Sequence, residues 1–76
     1  MEPITLEQAK KLTPGMTIFS RSDKNANGSP QRWKVSGKAQ TWKKDPKRVS
    51  VPLKRGMYSY SHLTENNLWY FSLTDY

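Results

Sequence analysis

The chain contains no cysteine. That excludes disulfides, cysteine-zinc sites and thiol chemistry together. A secreted domain of this size leans on disulfide staples, so their absence points to the cytoplasm. No stretch approaches the roughly 18 apolar residues of a membrane span. The opening Met1-Glu2-Pro3-Ile4-Thr5 lacks the basic start and apolar run of a signal peptide. Beginning at Met1 with no tag, the chain is expected to be a complete small gene product.

Catalytic groups are equally scarce. His62 is the one histidine. In Tyr60-Ser61-His62-Leu63 the adjacent Ser61 would point to the opposite face of a strand, so no nucleophile–base pair forms. His62 reads as a structural or surface residue. The six acids, Glu2, Glu7, Asp23, Asp45, Glu65 and Asp75, sit at the ends, in turns or beside expected caps. They offer no carboxylate pair facing across a cleft. With a single histidine they do not make a three- or four-ligand zinc site either. The isolated glycines Gly15, Gly28, Gly37 and Gly56 form no phosphate-cradling loop. No recognition helix follows the short N-terminal one, which excludes helix-turn-helix, and the ribonucleoprotein aromatic motif is missing. The expectation is a binding module without cofactor or metal, not an enzyme.

The 76 residues make a single domain, 1–76. A domain this small buries only about 60% of the surface its unfolded chain exposes. Hydrophobic residues are 34% of the chain and mean hydropathy is −0.91, so aliphatic side chains alone would close a thin core. Nine aromatics compensate, each able to bury roughly 150–250 Å². Trp33, Trp69 and Phe71 are expected in the core.

Thr5-Leu6-Glu7-Gln8 fits a capping box, and Pro14-Gly15 stops the helix that follows. Leu6, Ala9 and Leu12 should face inward. Met16–Ser20 reads as a first strand and Asp23–Pro30 as a long polar loop. From Gln31 to Trp42 the pattern alternates. Trp33, Val35, Gly37, Ala39 and Thr41 share one face; Arg32, Lys34, Ser36, Lys38, Gln40 and Trp42 share the other. This is one strand bent at Gly37, or two with a turn at Ser36-Gly37-Lys38. Lys43-Lys44-Asp45-Pro46-Lys47 is a turn. Arg48–Lys54 alternates again, with Val49, Val51 and Leu53 inward and an edge or bulge at Pro52. After a turn at Arg55-Gly56, Met57–Ser61 is a short strand, Leu63–Leu68 a helical turn and Trp69–Thr74 the last strand.

That order is similar to SH3-like small barrels, with their long loop after the first strand, central meander and single 3-10 turn before the last strand. Leu12-Thr13-Pro14-Gly15-Met16-Thr17-Ile18 also resembles the Leu-x-Pro-Gly-x-x-Ile/Val opening of such barrels. The resemblance implies a mostly β fold: a barrel of about five strands over 14–76, with a short helix in 1–13 docking on it. The wording as a whole also resembles small accessory proteins of phages and mobile elements, with no single motif behind it.

Charge is the feature that points to a partner. The formal net charge is +7, from 13 Lys and Arg against 6 Asp and Glu. Nine of the basic residues lie between 32 and 55, against the single acid Asp45; the remainder of the chain has four basic residues and five acids. Arg32, Lys34, Lys38, Arg48 and Lys54 should line one outward face with Trp42, while Lys43, Lys44 and Lys47 crown the turn and Arg55 follows. Such a surface suits a polyanion, since Lys and Arg neutralise phosphates and release counterions. An exposed Trp42 would stack on an unpaired base, worth about 1–3 kcal/mol. The plainer alternative folds Trp42 back onto the barrel and leaves the lysines as a solvated face. Tyr58 and Tyr60 share a face, and are either half-buried or a stacking platform beside the basic surface.

Two functions follow as expectations. One is nucleic-acid binding, DNA or RNA, through backbone contacts by the 32–55 hairpin with low sequence specificity. The other is a protein-interaction module, an inhibitor or adaptor, docking its basic face on an acidic partner. A membrane partner is not expected, because the basic residues fall on strands and no amphipathic basic helix is present. Oligomeric state stays open, since an edge strand pairs across a dimer unless Pro52 prevents it.

Overall fold

Val49, Val51 and Leu53 are buried, while Arg48 and Lys54 on the alternate positions are exposed. This period of two builds the longest strand, β4 (Asp45–Arg55), in a computed structural model that describes residues 2–75. The other elements are α1 (Leu6–Lys10), β1 (Thr17–Lys24), β2 (Pro30–Val35), β3 (Gln40–Trp42), β5 (Ser59–Thr64), a 3-10 turn (Leu68–Tyr70) and β6 (Phe71–Ser72). The chain is mostly β, and every strand pairing is antiparallel. The sheet runs β3-β4-β2-β1-β6, with β5 paired to β4. No helix among the described residues is long and apolar enough to cross a membrane.

One face of the sheet carries Ile18, Val35, Val49, Val51, Leu53, Leu63 and Phe71 into the core, and Ile4, Ala9 and Leu12 cover them. Each of these side chains except Ala9 contributes about 1.5–3 kcal/mol on burial. The capping box forms as expected. Gln8 N–H donates to Thr5 Oγ1 (3.2 Å), and Thr5 N–H donates to Gln8 Oε1 (3.0 Å). A helix of five residues is unstable alone. It is held by buried Ala9, by Leu12 just beyond it, and by Lys10 Nζ donating to the Pro46 carbonyl.

Several expectations are corrected. The sheet is open, with six strands, where the expectation is a barrel of about five. β6 has only two residues and pairs with β1, and Ile4 N–H donates to the Phe71 carbonyl, so the N-terminal segment lies against β6. The expected 23–30 loop shortens to 25–29, because Asp23 and Lys24 belong to β1 and Pro30 to β2. β1 runs to Lys24, and a compact turn follows in which Asn25 N–H donates to the Ser29 carbonyl at 2.7 Å. β4 begins at Asp45, so the β3–β4 turn shrinks to Lys43-Lys44.

The 31–42 segment is broken, as the two-strand alternative allowed, yet both pieces lie along the same edge of β4. Lys34 pairs with Lys54 and Val35 with Leu53; beyond the break, Gln40 pairs with Ser50 and Thr41 with Val49. Gly37 sits in the break, where an added Cβ would come within 2.9 Å of Pro52 Cγ. Pro52 is therefore not on an edge strand, because β5 pairs on the far side. Its carbonyl accepts from Ser36 N–H at 2.9 Å, so its missing N–H faces the broken stretch, where no ladder donor is needed.

The C-terminal elements also shift. The strand expected at Met57–Ser61 is Ser59–Thr64, because Leu63 pairs with Val51 in the core. Asn67 then fixes the chain reversal. Its Oδ1 accepts from Thr64 N–H (2.7 Å) and its Nδ2 donates to the His62 carbonyl (2.8 Å). The helical turn moves to 68–70 and the last strand shortens to Phe71–Ser72. Phe71 is buried as expected and Trp33 packs at the edge of the core. Trp69 is not in the core: it is 61% exposed, turned outward with its indole N–H donating to the Asn66 carbonyl.

Candidate nucleic-acid interface

The face of the sheet away from the core carries the cations, and register sets which of them meet. Thr17 stands opposite Lys34, Lys34 opposite Lys54, and Lys54 opposite Tyr60, one row across β1, β2, β4 and β5. Like charges directly opposite each other destabilise a sheet by about 0.2–1 kcal/mol. Beyond Lys34–Lys54 the two strands part, β2 continuing against β1 and β4 turning into β5. A cavity of about 390 Å³ fills the fork, lined by Thr17, Arg32, Trp33, Lys34, Lys54 and Arg55. Arg55 falls on the core side of the alternation and lies over the Trp33 ring, 5.5 Å from its centroid, within cation–π range. Among the described residues no carboxylate is within ion-pairing distance of these four cations. The Trp33 indole N–H beside them is buried without a hydrogen-bond partner.

At the fork's rim the β4–β5 turn presents Met57 at 77%, Tyr58 at 88% and Tyr60 at 71% exposure. Gly56 opens the turn at φ +69°, a left-handed conformation that side chains resist. The Tyr60 hydroxyl donates to the Met57 carbonyl at 3.3 Å, which tethers the ring along the turn. Both tyrosines are exposed, and Tyr60 stands opposite Lys54.

The opposite end of β4 is arranged differently. Arg48 stacks on Trp42 at 4.2 Å from the ring centroid, and Arg48 Nε meets Glu65 Oε1 at 4.0 Å. Trp42 is half-buried under this stack. A groove of about 410 Å³ runs past Gln40, Trp42, Arg48 and Glu65. Lys43 and Lys44 at the nearby turn and Lys47 early in β4 are exposed. Lys38 belongs to neither end: it lines a depression with Lys10, Lys11 and Pro14.

The expected basic face is therefore three separate groups. Arg32, Lys34, Lys54 and Arg55 come together at the fork; Trp42 and Arg48 pair with each other near Lys43, Lys44 and Lys47; Lys38 lies by the end of α1. Sequence reasoning missed Thr17, which the alternation Thr17-Ile18-Phe19 would have placed outward, and Met57, which a turn residue's freedom leaves exposed. It also missed the outward Trp69, which with Arg21 and Lys24 lines a further groove. Among the described residues no group of three or more His, Cys, Asp or Glu is placed to hold a metal. No family model matches this chain, and no curated protein or solved structure matches it.

Proposed function

We propose that this chain binds nucleic acid through the outer face of its sheet, with the sugar-phosphate backbone held at the Lys34–Lys54 fork. The observation that carries this is the set of three outward cations, Arg32, Lys34 and Lys54, around one cavity that Arg55 enters from the core side, with no described carboxylate beside them. A phosphate there relieves the repulsion between the opposed lysines, and its neutralisation releases counterions. α1 has five residues and packs Ala9 into the core, so it offers no base-reading helix. Contacts to the backbone with low sequence specificity follow. Lys43, Lys44, Lys47 and Lys38 add attraction from a distance. With this goes the element order of an SH3-like meander, left open, in a small non-catalytic accessory protein that needs no cofactor and works in the cytoplasm.

The test is fluorescence anisotropy with labelled DNA and RNA at about 50 and 200 mM salt. Binding that weakens steeply with salt supports the proposal, and absence of binding at the lower salt rejects it. The second reading is an acidic protein partner, favoured by the exposed Met57 and Tyr58, residue types suited to interface anchors. It predicts a stoichiometric protein complex and no affinity for free nucleic acid.

A further inference from the structure

We infer that the strand held at the fork is unpaired, with a phosphodiester between Lys34 and Lys54 and the neighbouring base lying on the Tyr60 ring. This rests on the nucleic-acid reading above and narrows it. Register places Lys34, Lys54 and Tyr60 in one row across three adjacent strands. Two interstrand steps span about 10 Å, so a phosphate and the base next to it fit along the row. Tyr58 stands exposed at the turn beyond.

The tyrosines distinguish single from double strands. A duplex offers phosphates to the lysines but keeps its bases stacked inside, and the rings at 71% and 88% exposure would gain nothing from them. An unpaired base brings a π-face to each ring. The bond from the Tyr60 hydroxyl to the Met57 carbonyl fixes the ring before any ligand arrives, so less freedom is lost on binding. Trp42, the aromatic that sequence favoured for this role, is already stacked on Arg48 and is not open on that side.

The experiment compares short labelled single strands, deoxythymidine and uridine, with a duplex of equal length. The variants are Tyr58→Ala/Tyr60→Ala, Tyr58→Phe/Tyr60→Phe and Lys34→Gln/Lys54→Gln, each checked for an unchanged fold by circular dichroism. A single strand of either sugar should bind at least about tenfold tighter than duplex, and the alanine pair should lose about tenfold or more on single strand alone. The phenylalanine pair should keep most of the affinity, because it keeps the rings. The lysine variant should weaken both substrates and reduce the salt slope by about one per lysine. Equal binding of duplex and single strand, untouched by the alanine pair, would overturn this inference and leave the nucleic-acid reading standing. No binding of any substrate at low salt would overturn both.

Discussion

At the Asp45 end of β4, Arg48 lies on Trp42 at 4.2 Å and meets Glu65 at 4.0 Å. At the Arg55 end, Lys34 faces Lys54 with no described carboxylate in reach, and Tyr58 and Tyr60 stand in solvent. Both ends combine cations with aromatics, and in sequence the first looks richer, with Trp42 followed by Lys43, Lys44, Lys47 and Arg48. The difference is in what the fold does with them. At one end Arg48 and Trp42 satisfy each other, with a stack worth about 0.5–1 kcal/mol at an exposed site, while Lys43, Lys44 and Lys47 stay exposed around them. The other leaves like charges opposed and rings uncovered, both of which a ligand can improve. On the proposed reading the site is marked by like charges that register sets opposite each other, and not by charge density along the chain.

Charge reversal tests the comparison most strongly. Like charges across an interface cost several kcal/mol, and about 1.4 kcal/mol is tenfold in affinity. Lys34→Glu with Lys54→Glu should lower nucleic-acid affinity by at least about a hundredfold, while Lys43→Glu, Lys44→Glu and Lys47→Glu together should cost about tenfold. Anisotropy at low salt measures both. The reverse ranking would move the interface to the Asp45 end. Trp42→Ala sharpens the same contrast through stability. It removes the Arg48 stack and some burial, so the expected loss is about 1–2 kcal/mol in chemical denaturation, with affinity for nucleic acid nearly unchanged. Lost affinity at full stability would instead make Trp42 a ligand anchor.

The parts of this molecule that sequence revealed are those set by near neighbours. The Thr5–Gln8 capping box spans three residues, and the inward Val49, Val51 and Leu53 need only a period of two. The break at 36–39 brings Gly37 beside Pro52 of another strand, where a side chain at 37 would have no room, a proximity that no local pattern contains. Alternation also put Arg32, Lys34 and Lys54 on one face. That Lys34 stands opposite Lys54 is a matter of register, fixed by how many residues the break absorbs. Trp69 misled for a related reason. An aromatic in a small domain is a good wager for the core, but the 3-10 turn gives that place to Phe71, with Tyr70 edge-on between them. Trp42, expected either exposed or folded back, is half-buried, and Arg48 reaches its ring only through the tight turn at Lys43-Lys44.

The smallest effects carry the clearest sign. Neutralising one charge at each end of β4 should move stability in opposite directions. Lys34→Gln removes a repulsion across the β2–β4 pair and should stabilise the free protein by about 0.2–1 kcal/mol. Glu65→Gln removes the partner of Arg48, whose side chain is 55% exposed against 30% for Glu65. Solvent screens such a pair, so the loss should be no more than about 0.5 kcal/mol. Urea denaturation at low ionic strength reads both as shifts of midpoint at constant slope. At about 1 M salt, where the screening length falls to about 3 Å, both differences should shrink toward zero. Destabilisation by Lys34→Gln would mean that Lys34 already has favourable company in the folded chain. The fork would then be a satisfied part of the sheet, like the Asp45 end, and the two ends would no longer differ in what they have left to offer a ligand.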